Sequence, residues 1–413
     1  MSRFFIVLGI IYLIGAFYGF QAFRTLVRNP YLQVAYALAF VAVLVNVYLQ
    51  FNHFDRSQGM SHAMGISVGL FLAFMTLGFF SGIFMLIEDL GRLFGWLFGK
   101  IFQSGAVASN TFPSRRKFIS RIALGVAAVP FLSLLYGMYK GKYDYQVLKY
   151  TLEFDDLPDA FDGYRITQIS DIHSGSFDNK KKIEYVVDLI NKQASDVLLF
   201  TGDLVNNVAT EMHPWKETFS RLHATDGVFS VLGNHDYGDY AEWPSEEAKK
   251  ENLDELKKIQ KDMGFDLLLN ESRYLEKDGQ RIALIGVENW GEGGFKKAGD
   301  LEKAIKNIKP EDFKILMSHD PSHWQYQVLE HPYHYHLTLS GHTHGMQFGV
   351  EIPGVIKWSP VKYRYKYWAG VYEKMGQFIN VNRGLGFIGY PGRVGIWPEI
   401  TVIELKKKIK PVV

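Results

Sequence analysis

Five short motifs hold most of the chain's capacity for chemistry: Asp171-Ile172-His173, Gly202-Asp203, Gly233-Asn234-His235-Asp236, Ser318-His319-Asp320 and Gly341-His342-Thr343-His344-Gly345. Each follows a short apolar run of the kind that forms a buried strand. An Asp and a His two positions apart can clamp one metal ion from a single loop, provided the loop turns both side chains inward. Asp203 stands alone at the end of its run, so its two oxygens can bridge two ions. Asn234 offers a neutral carbonyl oxygen, and His319, His342 and His344 each offer a ring nitrogen. About four ligands per ion, mixing oxygen with imidazole, suit Mn²⁺, Fe or Zn²⁺, whereas Ca²⁺ takes oxygen alone. Two adjacent divalent ions activate a water as hydroxide and hold a phosphate ester for in-line attack. His235 is then left to bind the phosphate or to protonate the leaving oxygen, and Asp236 beside it is placed to orient that ring.

The elements that must position these residues are legible from about Val147 onward. Arg165–Ser170, Val197–Thr201, Val228–Leu232, Ile282–Val287, Lys314–Ser318, His336–Ser340, Phe378–Val381 and Ile400–Leu405 read as strands, bounded by Gly, Asp, Asn or Ser. Uninterrupted apolar runs such as Val197-Leu198-Leu199-Phe200 suit strands buried on both faces. Ile183, Val186, Val187 and Ile190 recur at helical spacing. Glu246 to Met263 reads as a charged helix with Leu253, Leu256 and Ile259 turned inward, and Asp278-Gly279 as a hairpin turn. Strands alternating with helices imply a layered α/β domain. Ligands in such folds bind beyond the carboxyl ends of the strands, which is where all five motifs fall.

With these motifs in order, the chain resembles the calcineurin-like metallophosphoesterases from about Leu152 to Leu405. The resemblance implies a two-sheet αββα sandwich flanked by helices. It also implies one metal held by Asp171, His173, Asp203 and His344, and a second held by Asp203, Asn234, His319 and His342. His235 matches the family's phosphate-contacting histidine. Asn206 stands where many relatives carry Asp. The stretch from Asn382-Arg383-Gly384 through Pro398-Glu399-Ile400 is similar to a bacterial membrane-associated branch, in which Arg383 and Arg393 are candidates for phosphate contact alongside Asn234 and His235. The remaining histidines, His331, His334 and His336 among them, read as structural. Tyr363, Tyr365 and Tyr367, alternating with Arg364 and Lys366, read as a half-buried strand rather than a surface at the lipid headgroups.

The first 142 residues have a different texture and form the first of two expected domains, 1–142 and 143–413. Phe4 to Phe20, Tyr31 to Phe51, Met64 to Ile87 and Ile122 to Tyr139 approach or exceed the roughly 20 apolar residues of a spanning helix. Arg92 to Phe102 reads as a separate interfacial segment. Basic residues favour one side: Arg24 and Arg28 in one loop, then Arg92, Lys100, Arg115, Arg116, Lys117 and Arg121 in another, against Arg3, Arg56, Lys140 and Lys142. That bias puts the richer side in the cytoplasm and everything after Lys140 outside it. Ser114-Arg115-Arg116-Lys117-Phe118-Ile119 is similar to a twin-arginine export signal, or serves as an ordinary basic anchor. Both readings send the second domain outward.

Bulk properties give no footprint of a nucleic-acid binder. The 413 residues carry a net charge of +2, without the basic excess that nucleic acid demands. Absence of cysteine excludes disulfides and thiolate metal sites. The Lys406-Lys407-Lys408 and Lys410 run reads as a solvated tail. The expected activity is hydrolysis of phosphoric esters, as a phosphodiesterase or pyrophosphatase using a dimetal-activated hydroxide. Anchoring suggests a lipid-linked phosphate as substrate. The alternatives are a tethered phosphoprotein or nucleotide phosphatase, or a non-catalytic phosphate sensor coupled to the helical bundle.

Overall fold

The computed structural model describes residues 3–55, 59–102, 113–352 and 354–408. Arg56 and Lys410, used above in reading charge, lie outside them. The chain divides into two compact units, one built from the helices that end at Tyr139, the other from Lys140 onward together with Asp55, Gly59 and Met60 of the described residues.

The first unit holds α1 (Arg3–Leu26), α2 (Pro30–Asn52), α3 (His62–Phe102) and α4 (Pro113–Tyr139). Each is long and apolar enough to cross a membrane. The Asn29 side chain caps α2 by accepting from the Tyr31 N–H at 2.9 Å. A Cβ on Gly78 would lie 2.8 Å from Gly15 backbone, so glycine lets α1 and α3 approach closely. The expected break before Arg92 is absent: α3 runs on for 41 residues, about 60 Å at the α-helical rise. Arg92 does not end the helix because its charge is neutralised within it, 3.4 Å from Glu88 and 2.5 Å from Asp89. Arg116, from the twin-arginine-like stretch, donates to Glu88 at 2.9 Å and Asp89 at 3.1 Å, tying α4 to α3.

The second unit is built on fourteen strands among the described residues. They are β1 (Gln146–Phe154), β2 (Arg165–Ile169), β3 (Val197–Phe200), β4 (Val228–Ser230), β5 (Phe265–Leu267), β6 (Glu271–Lys277), β7 (Gln280–Val287), β8 (Lys314–Ser318), β9 (Leu337–Ser340), β10 (Val350–Ile352), β11 (Ile356–Trp358), β12 (Gly370–Lys374), β13 (Gln377–Val381) and β14 (Glu399–Lys407). One six-stranded sheet runs β1-β14-β2-β3-β4-β5, the other β12-β13-β9-β8-β7-β6, and β10-β11 form a separate hairpin. Strands β2 to β5 are parallel, as are β7, β8, β9 and β13. Asp278 (φ 49°) and Gly279 (φ 74°) make the expected two-residue turn between Lys277 and Gln280.

Side-chain alternation explains the layers. Val197 and Leu199 point into the core between the sheets with Ile315, Met317 and Leu339. Leu198 and Phe200 point the other way, onto Ile183, Val186, Val187, Ile190, Leu256 and Ile259 of the two helices Lys180–Asn191 and Glu246–Asp262. The far face of the second sheet buries Ile285, Leu316, Trp324 and Ile379. The result is an αββα sandwich with an apolar layer on each side of each sheet, which is why the strands read as continuous apolar runs. The Tyr363–Tyr367 stretch is no strand. Pro360–Tyr363 is a single 3₁₀ turn, since Pro360 fixes a turn conformation and Ser359 caps it. Tyr365 is buried beyond that turn.

Candidate metal centre

Loops leaving the carboxyl ends of β2, β3, β4, β8 and β9 carry the motif residues, so the layout of two sheets brings distant sequence positions to one place. Chain reversal after β2, β3 and β9 puts Asp171 (φ 49°), His173 (φ 48°), Asp203 (φ 61°), His342 (φ 73°) and His344 (φ 50°) in the left-handed region. Such backbone costs on the order of 1–3 kcal/mol per non-glycine residue and persists where the surroundings enforce it. Here the Asp171 N–H donates to Gly202 at 2.9 Å and the His173 N–H to Asp203 at 3.2 Å. Glycine is required where loops touch: a Cβ on Gly341 would overlap the Ser170 hydroxyl and the Asp171 carboxylate, and one on Gly233 would overlap Asp203.

The side chains converge. His344 Nε2 lies 3.0 Å from His173 Nε2 and 3.1 Å from Asp171 Oδ1. Asp203 Oδ2 is 3.1 Å from His319 Nε2 and 3.6 Å from His173 Nε2. Two groups have their donor atoms within 4.8 Å of one another, Asp171-His173-His344 and Asp171-Asp203-His319. Beside them His342 Nδ1 meets Asn234 Oδ1 at 2.7 Å. All seven expected ligands thus lie in one connected cluster.

Outer contacts set which ring nitrogens face inward. Carbonyl oxygens only accept, so His319 Nδ1, 2.7 Å from Thr201 O, and His235 Nδ1, 2.7 Å from Asn206 O, carry protons. That turns their Nε2 atoms inward, for His319 the usual arrangement behind a metal-binding histidine. His173 Nδ1 likewise meets the Asn206 side-chain oxygen at 3.1 Å. His319 Nε2 is buried with no hydrogen bond; its approach to Asp203 lacks hydrogen-bond geometry. An orphaned ring nitrogen among carboxylates fits a divalent cation, because leaving it unpaired in the interior is costly.

Electrostatics point the same way. Burial opposes ionisation of Asp171 and Asp203, but the surrounding imidazoles outweigh it and hold both well below the usual carboxylate range. Burial, then the neighbouring His344, push His173 well down. Burial also lowers His342, to about 4. His319 is the exception. Burial pushes it down, yet the Asp203 carboxylate prevails and draws it up to about 10. Such a proton is what a cation displaces, since metal ligands bind deprotonated.

Three expected site residues have other partners. Asp236 does not orient His235. Its carboxylate is fully buried and accepts from the N–H groups of Asp203 (3.0 Å), Leu204 (2.8 Å) and Gly233 (2.9 Å), so it shapes the loops that carry Asp203 and Asn234. The ring it was expected to hold is set by Asn206 instead. Arg383 is buried in an ion pair with Glu399 and in a bidentate pair with Glu351, at 3.1 and 2.6 Å. Arg393 is fully buried, donating to Gly386 O (2.9 Å) and Arg383 O (2.8 Å), with Nη2 3.3 Å from His344 Nδ1. Neither guanidinium faces an open site. Motif reading missed Tyr365 and Tyr240, whose hydroxyls lie 2.8 Å from His342 Nε2 and from Asn234 Nδ2. Asn206, set apart in the sequence only as standing where many relatives carry Asp, steers two histidines. None of the three carried a signal in spacing.

Comparison with known proteins agrees with this geometry. Residues 2–142 match the model of the probable calcineurin-like phosphoesterase transmembrane domain, and residues 164–346 match that of the calcineurin-like phosphoesterase domain. The metallophosphoesterase YkuE of Bacillus subtilis is 29% identical over 299 residues, covering 71% of this chain and 98% of its own. A transmembrane protein with metallophosphoesterase domain from Danio rerio is 27% identical over 344 residues, 81% of this chain and 71% of its own. A metallophosphoesterase of Aquifex aeolicus is 27% identical over 285 residues, 67% of this chain and 99% of its own.

Proposed function

Given that the chain belongs to the calcineurin-like phosphoesterases, as a membrane protein that hydrolyses phosphoric esters with divalent metal, we propose that its site holds two ions and cleaves a lipid-linked phosphodiester or pyrophosphate outside the cytoplasm. The observation that carries the two-ion reading is the buried, unpartnered His319 Nε2 beside Asp203, with Asp171, His173 and His344 grouped next to it. Asp171, His173, Asp203 and His344 would hold one ion, and Asp203, Asn234, His319 and His342 the other; Mn, Fe and Zn all suit this donor set. When bound, such ions supply Lewis acidity and a water acidic enough to be a nucleophile near neutral pH.

The chain's own residues do the rest. His235 is fixed at two points, its N–H on Asp203 at 2.8 Å and its Nδ1–H on Asn206 O. Its Nε2 is the atom assigned to a phosphate oxygen, and in the protonated ring it donates to the leaving oxygen. Asp236 acts as a positioning residue through the loop N–H groups it collects, and Arg383 and Arg393 brace the wall behind His344 and Gly386. The lipid reading is supported by the four apolar helices, the last ending immediately before the catalytic unit. The outward side is supported by the charge bias of the loops.

The test uses the full chain, stripped of metal in detergent and reloaded with Mn²⁺ or Zn²⁺. A phospholipid diester and a lipid pyrophosphate are compared with a nucleotide and a phosphopeptide. Faster metal-dependent turnover of a lipid substrate is expected. Preference for the nucleotide or phosphopeptide would overturn the lipid reading, and phosphate binding without turnover of any substrate would make the domain a sensor.

A further inference from the structure

The hairpin β10–β11 leaves the ligand loop directly after His344, and nothing in the chemistry above uses it. Its base is fastened at two points: the Gly349 N–H donates to O of Val394, in the segment before β14, at 2.9 Å, and the Ser359 hydroxyl to Gly345 O of the His344 loop at 2.7 Å. Cross-strand pairing sets Val350 against Trp358, Glu351 against Lys357 and Ile352 against Ile356. Side chains alternate along a strand, so the hairpin has two unlike faces. The polar face is tied down, Glu351 to Arg383 at 2.6 Å and the Lys357 ammonium to Ala369 O. The apolar face is left out: Ile352 is 51% exposed, Val355 at the tip 79%, and Val350 and Ile356 are exposed with them.

Exposed apolar side chains gathered at the tip of a pinned hairpin mark a contact surface. The surroundings say of what kind. Lys362, Arg364 and Lys366 follow β11 and are exposed, and Tyr363 among them is 78% exposed. From Met346 to Trp368 the chain has four basic residues and one acid, Glu351, which is already paired. An aliphatic tip followed by tyrosine and cations has the composition of a segment seated at the bilayer interface, its cations on anionic headgroups. Four helices of the same chain are long and apolar enough to cross a membrane, so the partner this composition suits is one the chain already meets.

We propose that the β10–β11 hairpin docks on the membrane, with Ile352, Val355 and Ile356 entering the acyl boundary and Lys362, Arg364 and Lys366 resting on the headgroups. This surface lies one loop from His344, so a docked hairpin sets the metal cluster beside the plane in which lipid phosphates lie. That consequence rests on the lipid-phosphate reading; the docking itself does not.

Absence of native cysteine makes a direct test clean. In the full chain, Val355→Cys, Ile352→Cys and, as reference, Met375→Cys are each labelled with a nitroxide. Met375 is an exposed turn residue between β12 and β13. The proteins are placed in nanodiscs containing anionic lipid, and collision rates with oxygen and with a water-soluble nickel chelate are compared. Docking predicts that the labels at 352 and 355 gain oxygen collisions and lose nickel collisions several-fold relative to 375. Equal nickel access at all three sites would overturn the proposal. So would labels at 352 and 355 shielded from both reagents, which would mean a protein surface, such as a second copy of the chain, covers the hairpin. Each variant's turnover of a soluble phosphoester is measured in parallel, so a failed docking result is distinguishable from a failed assignment of the enzyme.

Discussion

Asp203→Asn isolates the role of one carboxylate without disturbing the loop that carries it. Asn tolerates the left-handed backbone almost as well as Asp, so φ 61° is retained. The amide oxygen can still accept from the His235 N–H, now 2.8 Å from Oδ1. What disappears is the charge and the second oxygen, 3.1 Å from His319 Nε2 and 3.6 Å from His173 Nε2. Metal-free protein loses the buried pair of Asp203 with His319, a cost of up to about 3–5 kcal/mol, so each protein's response to metal is read against its own metal-free melting point. With metal at about 100 times its dissociation constant, wild type gains about 2.7 kcal/mol. For a unit of this size that is a rise of about 5–10 °C. Should the lost carboxylate weaken binding about 100-fold, as damage to a metal site commonly does, the gain at the same concentration falls to about 0.4 kcal/mol, near 1 °C. Differential scanning calorimetry of the full chain in detergent, with EDTA and then Mn²⁺, reads both numbers. Equal Mn²⁺ stabilisation of wild type and variant would refute the place given to Asp203.

Three further outcomes follow from the same geometry. His235→Gln should lower kcat by about 10²–10⁴ with metal content unchanged by elemental analysis, because the ring contacts substrate and not metal. Gly341→Ala should cost about 1–3 kcal/mol of stability and reduce bound metal, since the new methyl overlaps Ser170 and Asp171; chemical denaturation and metal analysis check the two together. Arg383→Met should cost about 3–5 kcal/mol by leaving buried Glu399 without its partner. Adding Glu399→Gln should recover much of that loss, with KM little changed throughout, whereas a phosphate-contacting arginine would raise KM without destabilising the fold.

The sequence announced the clustered carboxylate, amide and imidazole residues because their chemistry is carried by residue type and by place after an apolar run. Asp171, Asp203 and His342 needed no knowledge of pairing. The sandwich was legible for the same reason: Val197 to Phe200 alternates between two cores, and only a strand covered on both faces reads that way. What the sequence hid depends on who meets whom. Tyr365 reaches His342 from a turn that alternation had suggested was a strand. Asn206 looked like a bystander, yet its two oxygens, one backbone and one side chain, set His173 and His235. Asp236 lies next to His235 in sequence but turns to the backbone of another loop. Arg92 looked like the end of a hydrophobic run, but partners at Glu88 and Asp89 one turn back let the helix continue. Buried Asn252 faces the core side of a helix because Ala209 N–H needs its oxygen, at 2.7 Å, a demand no periodicity reports.

The central claim is that carboxylate, amide and imidazole groups from five loops close around two cations. Anomalous diffraction from crystals of the full chain grown with Mn²⁺, recorded at the manganese edge, tests it most directly. Two peaks are expected, one among Asp171, His173, Asp203 and His344 and one among Asp203, Asn234, His319 and His342. A map with no peak at this cluster, or with density confined to surface carboxylates, would contradict it.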